Sequence, residues 1–249
     1  MSQHHEFYFI IVAFVAEFIG SISGVSSSAL FVPLARLFET MQVTLVLTAV
    51  LHVLGNSIRA VMYRKNIDWG LTIKFGLPAI VFSGLGAQYS DYLPERFYSL
   101  FLGLFLISLS TYFLFFETKN LFVGSKWLPY MGGALSGLLT GLLGSGGAVR
   151  SLALTVFNLN PLAFVATSTL IDFGGDIVRL VVYLKKDYLG SEHYFYIPLL
   201  MLVVVIANWL GKLILTRIPE ERFRKLVLFF VMAMGFVSLI SGIGGFYVV

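Results

Sequence analysis

Eight apolar runs divide the chain, with polar residues clustered briefly between them. They cover residues 7–37, 43–63, 75–89, 97–116, 128–159, 162–184, 194–215 and 226–249. A membrane helix needs about 20 apolar residues, so most of these runs predict one. The first and fifth are too long for one simple span, and each is interrupted by small residues. In the fifth run the sequence Gly141-Leu142-Leu143-Gly144-Ser145-Gly146-Gly147 breaks the pattern; in the first, Gly20, Gly24, Ser26, Ser27 and Ser28 do so. Glycine lets the backbone leave helical geometry, and a helix end freed in this way presents N–H groups to a ligand. At membrane depth such backbone is tolerated only where protein buries it or a wet cavity meets it. Both breaks are therefore candidate sites.

The first four runs return in the last four at an offset of 120 positions. Gly24 meets Gly144, Gly55 meets Gly175, Arg59 meets Arg179, Tyr63 meets Tyr183, Lys65 meets Lys185 and Pro78 meets Pro198. Polar residues repeat as well: Asn56 meets Asp176, and Gln88 meets Asn208. No gap is required until Pro94-Glu95, which matches Pro219-Glu220 at an offset of 125. The polar stretch 117–126 separates the halves, so two repeats are expected, residues 1–120 and 121–249. Internal duplication marks many secondary transporters, whose substrate site lies at the repeat interface near the bilayer midplane. A duplicated scaffold with its function elsewhere is the alternative.

Composition places the chain in the membrane: 58% of residues are hydrophobic, 12% are charged, and the mean hydropathy is +0.89. The net charge of +4 sits largely in short loops, which argues for membrane orientation and against nucleic acid as a partner. There is no cysteine, hence no disulfide and no thiolate chemistry. The first residues lack the basic region of a signal peptide, so the first apolar run is expected to be retained.

The Lys and Arg count tests the topology. If all eight runs cross, the loop and helix-end cations divide seven against seven. If runs one and five instead enter and return as hairpins, they divide ten against four, the stronger positive-inside bias. Each half then crosses three times, which inverts the second relative to the first and puts both termini outside the cytoplasm. The expected fold is an all-α integral membrane protein of two homologous, inverted helical repeats. Each has a broken or re-entrant first helix pair followed by three spanning helices.

His52, Asn56, Arg59 and Tyr63 form one stripe on a helix, and Asp172, Asp176, Arg179 and Tyr183 repeat it. A charge at the bilayer centre costs about 2.5 to 3.5 kcal/mol on insertion scales, so these residues should face the interior. Arg150 adds a third cation; its repeat partner is Leu30. Arginines beside helix breaks describe an anion site. The candidate substrate residues are Arg59, Arg150, Arg179, Ser26, Ser27, Ser28, Gly144, Ser145, Gly146, Gly147, Asn56, Gln88 and Asn208. Asp176, Asp172 and His52 are candidates for proton coupling. Plainer roles stand beside these: helix packing for Gly133, Gly137 and Gly141, snorkelling for Arg59, and a salt bridge from Asp176 to Arg179. Glu17 is ambiguous.

The glycine-rich segment 141–147, its echo before Pro33, and Ala166-Thr167-Ser168 resemble the TauE/SafE sulfite exporter family, also called the toluene sulfonate uptake permease family. The resemblance covers nearly the whole chain. It implies transport of sulfite or small organosulfonates across the bacterial cytoplasmic membrane. The chain departs from the family pattern at Ser26, Ser27 and Ser28, usually glycines, at Ala153, usually proline, and at Arg150, usually apolar. The expected partners are a small anionic substrate and the lipid bilayer; homo-oligomerisation is left open. No cofactor or metal is expected, since His4, His5, His52 and His193 form no paired metal motif. No serine has a placed base, so an enzyme is not expected. A passive anion channel is the nearer alternative to a carrier.

Overall fold

The computed structural model describes residues 3–92, 95–115 and 126–244. Among them are ten α-helices and three short 3-10 turns, and no strand. Both broken runs become pairs of helices that fold back on themselves. α1 (Gln3–Ser23) stops at Gly24, with φ 65°, and α2 (Ser28–Ala35) follows. α6 (Leu128–Leu143) stops at Gly144, with φ 70°, and α7 (Gly147–Leu154) follows. A left-handed residue with a Cβ costs roughly 1–2 kcal/mol, so glycine is favoured at both stops. Ser27 Cβ lies 3.0 Å from where a Cβ on Gly20 would project, and Gly146 lies against Ser136 and Thr140. Residues seven or ten apart in a straight helix would be about 10–15 Å apart, so the chain reverses at each break.

α3 (Met41–Met62) and α8 (Pro161–Lys185) begin alike. The side chain of Thr40 accepts from Val43 N at 3.4 Å, and that of Asn160 accepts from Ala163 N at 2.9 Å. These caps satisfy backbone donors that a helix start leaves free. α4 (Trp69–Gln88) and α9 (Tyr196–Leu215) come next, then α5 (Glu95–Phe115) and α10 (Glu220–Gly244). α4 packs on α6 as α1 packs on α9, and α8 packs on α4 as α3 packs on α9. α3 packs on α8, and α5 packs on α10.

The last two pairs are antiparallel. Along α3 and α8, His52 meets Arg179, Asn56 meets Asp176, and beyond the helix end Asp68 meets Thr167. Along α5 and α10, Leu100 meets Gly242, Gly103 meets Gly235, and Thr111 meets Met232. Gly133, Gly137 and Gly141 of α6 press directly on the α4 backbone at Phe75, Ala79 and Ser83, a close approach that side chains there would forbid.

The repeat register slips earlier than the sequence pairing suggests. Gly141 meets Ser83 and Ala87, while Ser21, its partner at offset 120, meets Ala207 and Gly211, so the α4 and α9 positions correspond at 124 rather than 120. The connection before α9 is longer than that before α4, and loops absorb such insertions. Gln88 and Asn208 are therefore not equivalent. The expected boundary between repeats at residues 120 and 121 lies outside the described residues.

Two sets of loops gather at opposite ends. At one end Tyr196 donates to Glu39 at 3.0 Å, His193 lies 3.2 Å from Glu39, and Lys186 pairs with Asp91 at 2.6 Å. At the other, Ile67, Phe157, Leu159 and Ile218 share one apolar cluster, and Phe164 packs edge-on against Phe223 at 5.4 Å. Among the described residues, four helical segments are long and apolar enough to cross a membrane: Glu6–Ser23, Met41–Met62, Trp69–Gln88 and Ser191–Leu215. Large apolar side chains such as Val61, Leu77, Phe101, Leu202 and Trp209 point outward, while Glu17, Asp176 and Arg179 are fully buried. Such a polar interior inside an apolar shell fits a lipid solvent.

Candidate functional site

Between the two breaks, α1, α3, α8 and α9 enclose a connected polar cluster. Arg59 from α3 donates through Nη1 to Glu17 Oε1 at 2.6 Å and Asn208 Oδ1 at 3.0 Å, and through Nη2 to Asn56 Oδ1 at 2.8 Å. Asn56 in turn donates to Asp176 Oδ2 at 2.7 Å, and Asp176 Oδ1 accepts from Arg179 Nε at 2.9 Å. Arg179 Nη2 lies 3.0 Å from His52 Nδ1, whose other nitrogen is 3.0 Å from Ser27 Oγ. Ser27 donates to Glu17 Oε2 at 2.8 Å and closes the circuit. Satisfied in this way, buried charges and amides reinforce one another.

A second group sits at the first break. Arg150 from α7 donates through Nε to Ser168 Oγ at 3.0 Å, reaches the Gly24 carbonyl at 3.5 Å, and forms an ion pair with Asp172. Ser168 and Ser151 also donate to the Gly24 carbonyl, at 2.8 and 3.3 Å. The helix end at Gly24 is thus held by side chains of α7 and α8. Ser26 fills the space where a Cβ on Gly147 would go, so the two breaks touch. Ser26 also hydrogen-bonds Ser28 at 2.8 Å. Ser145 is buried beside them, and Gly146 packs on α6.

Among the described residues, two guanidinium nitrogens of this centre make no hydrogen bond: Arg150 Nη1, which is ion-paired with Asp172, and Arg179 Nη1. Arg179 Nη1 is buried without a hydrogen bond, and it lies 3.3 Å from where a Cβ on Gly144 would project. Leaving such a donor unsatisfied costs about 1–3 kcal/mol or more for a charged group. It points at the second break.

The structure brings together most of the residues that the sequence singles out. Gln88 stands apart: it is exposed at the end of α4, where its carbonyl accepts from Lys186 at 2.8 Å. The missed member is Glu17, fully buried and bonded to Ser27, Arg59 and Asn208. A lone acid in an apolar run was the available signal, since an intramembrane charge demands a buried partner. Ser168 was noted only within the family-like segment 166–168 and Ser151 not at all, and single hydroxyls in a helix carry no such signal.

The family model described as sulfite exporter TauE/SafE matches residues 9–246. No curated protein and no solved structure was found to match the chain.

Proposed function

The chain belongs to the sulfite exporter TauE/SafE family, and on that premise we propose that it carries small sulfur-containing anions, sulfite or organosulfonate, across the bacterial cytoplasmic membrane by alternating access. The observation that carries this reading is the unpartnered Arg179 Nη1 beside the left-handed Gly144. A planar guanidinium at a helix break, with Arg150 and the serines of the facing break nearby, suits the oxygens of a sulfonate or sulfite. Arg59 frames the site, since its hydrogen bonds go to Glu17, Asn208 and Asn56.

The two repeats are read as inverted, each with its re-entrant pair meeting the other at the centre. Antiparallel α3 and α8, antiparallel α5 and α10, and the contact of Ser26 with Gly147 support this arrangement. It puts the anion at the interface of two halves that can rock against each other. Proton coupling through Asp172, Asp176 or His52 belongs to the same reading.

Thermal stabilisation of the purified protein across sulfite, thiosulfate, organosulfonates and carboxylates tests it, because a ligand that binds the folded state raises its apparent stability. Sulfur anions should stabilise the wild type, and Arg179→Gln should remove the effect while remaining folded. Unchanged affinity in both Arg59→Gln and Arg179→Gln would sink the site. In liposomes, flux that saturates and follows the proton gradient marks a carrier; flux linear in concentration and indifferent to pH marks a channel.

A further inference from the structure

The polar centre contains three arginines, Arg59, Arg150 and Arg179, each paired with a carboxylate, Glu17, Asp172 and Asp176 respectively. With His52 neutral, the charges already cancel before a substrate enters. An anion added alone would leave one buried charge uncompensated, which a low-dielectric interior strongly disfavours. Entry of a monoanion therefore calls for one proton.

Resting on the anion-transporter reading, we propose that Asp172 takes that proton. In the empty state it occupies Arg150 as an internal stand-in for the substrate. When the anion binds, the Asp172 carboxylate is protonated, releases Arg150, and the anion takes its place, so the cluster stays neutral.

The three acids differ in how firmly they are held. Glu17 has Ser27, Arg59 and Asn208 as partners, and Asp176 has Arg179, Asn56 and, at 3.6 Å, His52. Asp172 has Arg150 alone among the described residues. Its side chain is 13% exposed, against 0% for Glu17 and 1% for Asp176, so water reaches it best. Arg150 stays aimed once released, because Ser168 and the Gly24 carbonyl hold its other nitrogens.

His52 is the weaker carrier. Its Nδ1 lies 3.0 Å from Arg179 Nη2 and takes that hydrogen bond as an acceptor; protonation would remove the acceptor and set a second cation against Arg179. Arg150 of α7 is the ion-pair partner of Asp172, and the other charged or titratable groups of the polar centre are Asp176 and Arg179 of its own helix, His52 and Arg59 of α3, and Glu17 of α1. Of the other elements packed on α8, α6 has no Asp, Glu, Lys, Arg or His, Lys74 of α4 is exposed, and Arg64 and Lys65 in the turn after α3 are exposed.

Calorimetric titration of the full chain with methanesulfonate, a permanent monoanion, in buffers of different ionisation enthalpy counts the protons taken up. About one proton per anion is expected, with affinity falling about tenfold per pH unit where Asp172 is ionised. Asp172→Asn should bind with no proton uptake and no pH dependence, and Asp172→Glu should restore both. In the wild type, the infrared difference spectrum should gain a protonated-carboxyl band on binding, a readout that does not depend on any variant folding. Binding without that band, or proton uptake retained in Asp172→Asn, overturns the assignment to Asp172 alone. Failure of the wild type to bind methanesulfonate or sulfite at any pH overturns the transporter reading, and this coupling with it.

Discussion

Asn56 donates to Asp176 over 2.7 Å, and the two positions are separated by the same 120 residues that separate the repeated halves. In the proposed inverted arrangement, residues related by the two-fold operation touch only near its axis. Each is followed three positions later by the arginine it holds, Arg59 or Arg179. Exchanging the pair should therefore be tolerated better than changing one member. Asp176→Asn alone should destabilise by about 3–5 kcal/mol, since it strands a buried cation. Adding Asn56→Asp should recover most of the loss, measured by thermal unfolding in detergent. A double variant no more stable than the single one would remove this pair from the axis.

The contact of Ser26 with Gly147 makes a steric prediction. Gly147→Ala has no room beside Ser26, so overpacking should cost about 1–3 kcal/mol. Ser26→Gly in the same chain should restore stability, because it removes the atom in the way. If Gly147→Ala unfolds at the wild-type temperature, the two breaks do not meet as described.

The loop clusters predict membrane sidedness, and a chain without cysteine is a clean background for testing it. Single cysteines at the exposed positions Tyr92 and Glu192 should react with an impermeant thiol reagent from one side, and those at Lys65 and Arg217 from the other. Eight full crossings would instead group Lys65 with Glu192 and Tyr92 with Arg217.

At the end where α4 meets α8, hydrogen bonds from Lys186 and Tyr188 hold the Asp91 carboxyl below its usual range, outweighing its slight burial. Partial burial pulls Lys186 down, but the bond to Asp91 and the contact with Tyr188 leave it raised. The Asp91 contribution is complete above its unfolded pKa of about 3.9 and disappears as pH falls through the lower folded value. The Lys186 contribution is complete below about 10.4 and disappears as pH rises through its higher folded value. Asp91→Asn should thus lower thermal stability evenly between about pH 5 and pH 9, by less than about 1 kcal/mol because the pair is solvent-screened. The difference from wild type should begin to shrink near about pH 4 and vanish once the pH lies below the depressed folded value. A deficit that persists at pH 2 would mean that Asp91 acts by packing.

What the sequence by itself determined was periodic and local. Apolar runs gave the helices, Gly24 and Gly144 gave the breaks, and the spacing of His52, Asn56 and Arg59 gave a polar face. These are legible because helix period and glycine conformation act within a few residues. The 120-residue spacing could also be read, but the α4 and α9 contacts correspond at 124, because a longer connection shifted α9 without changing its composition. Partner choice was decided only by the tertiary structure. Three arginines near two breaks read as cations awaiting an anion; folding supplies each with a carboxylate, one of them Glu17, which the pattern left ambiguous. Only the packed structure leaves Arg179 Nη1 unpaired while satisfying its neighbours, because that depends on which atoms from four separate helices arrive within 3 Å of one another.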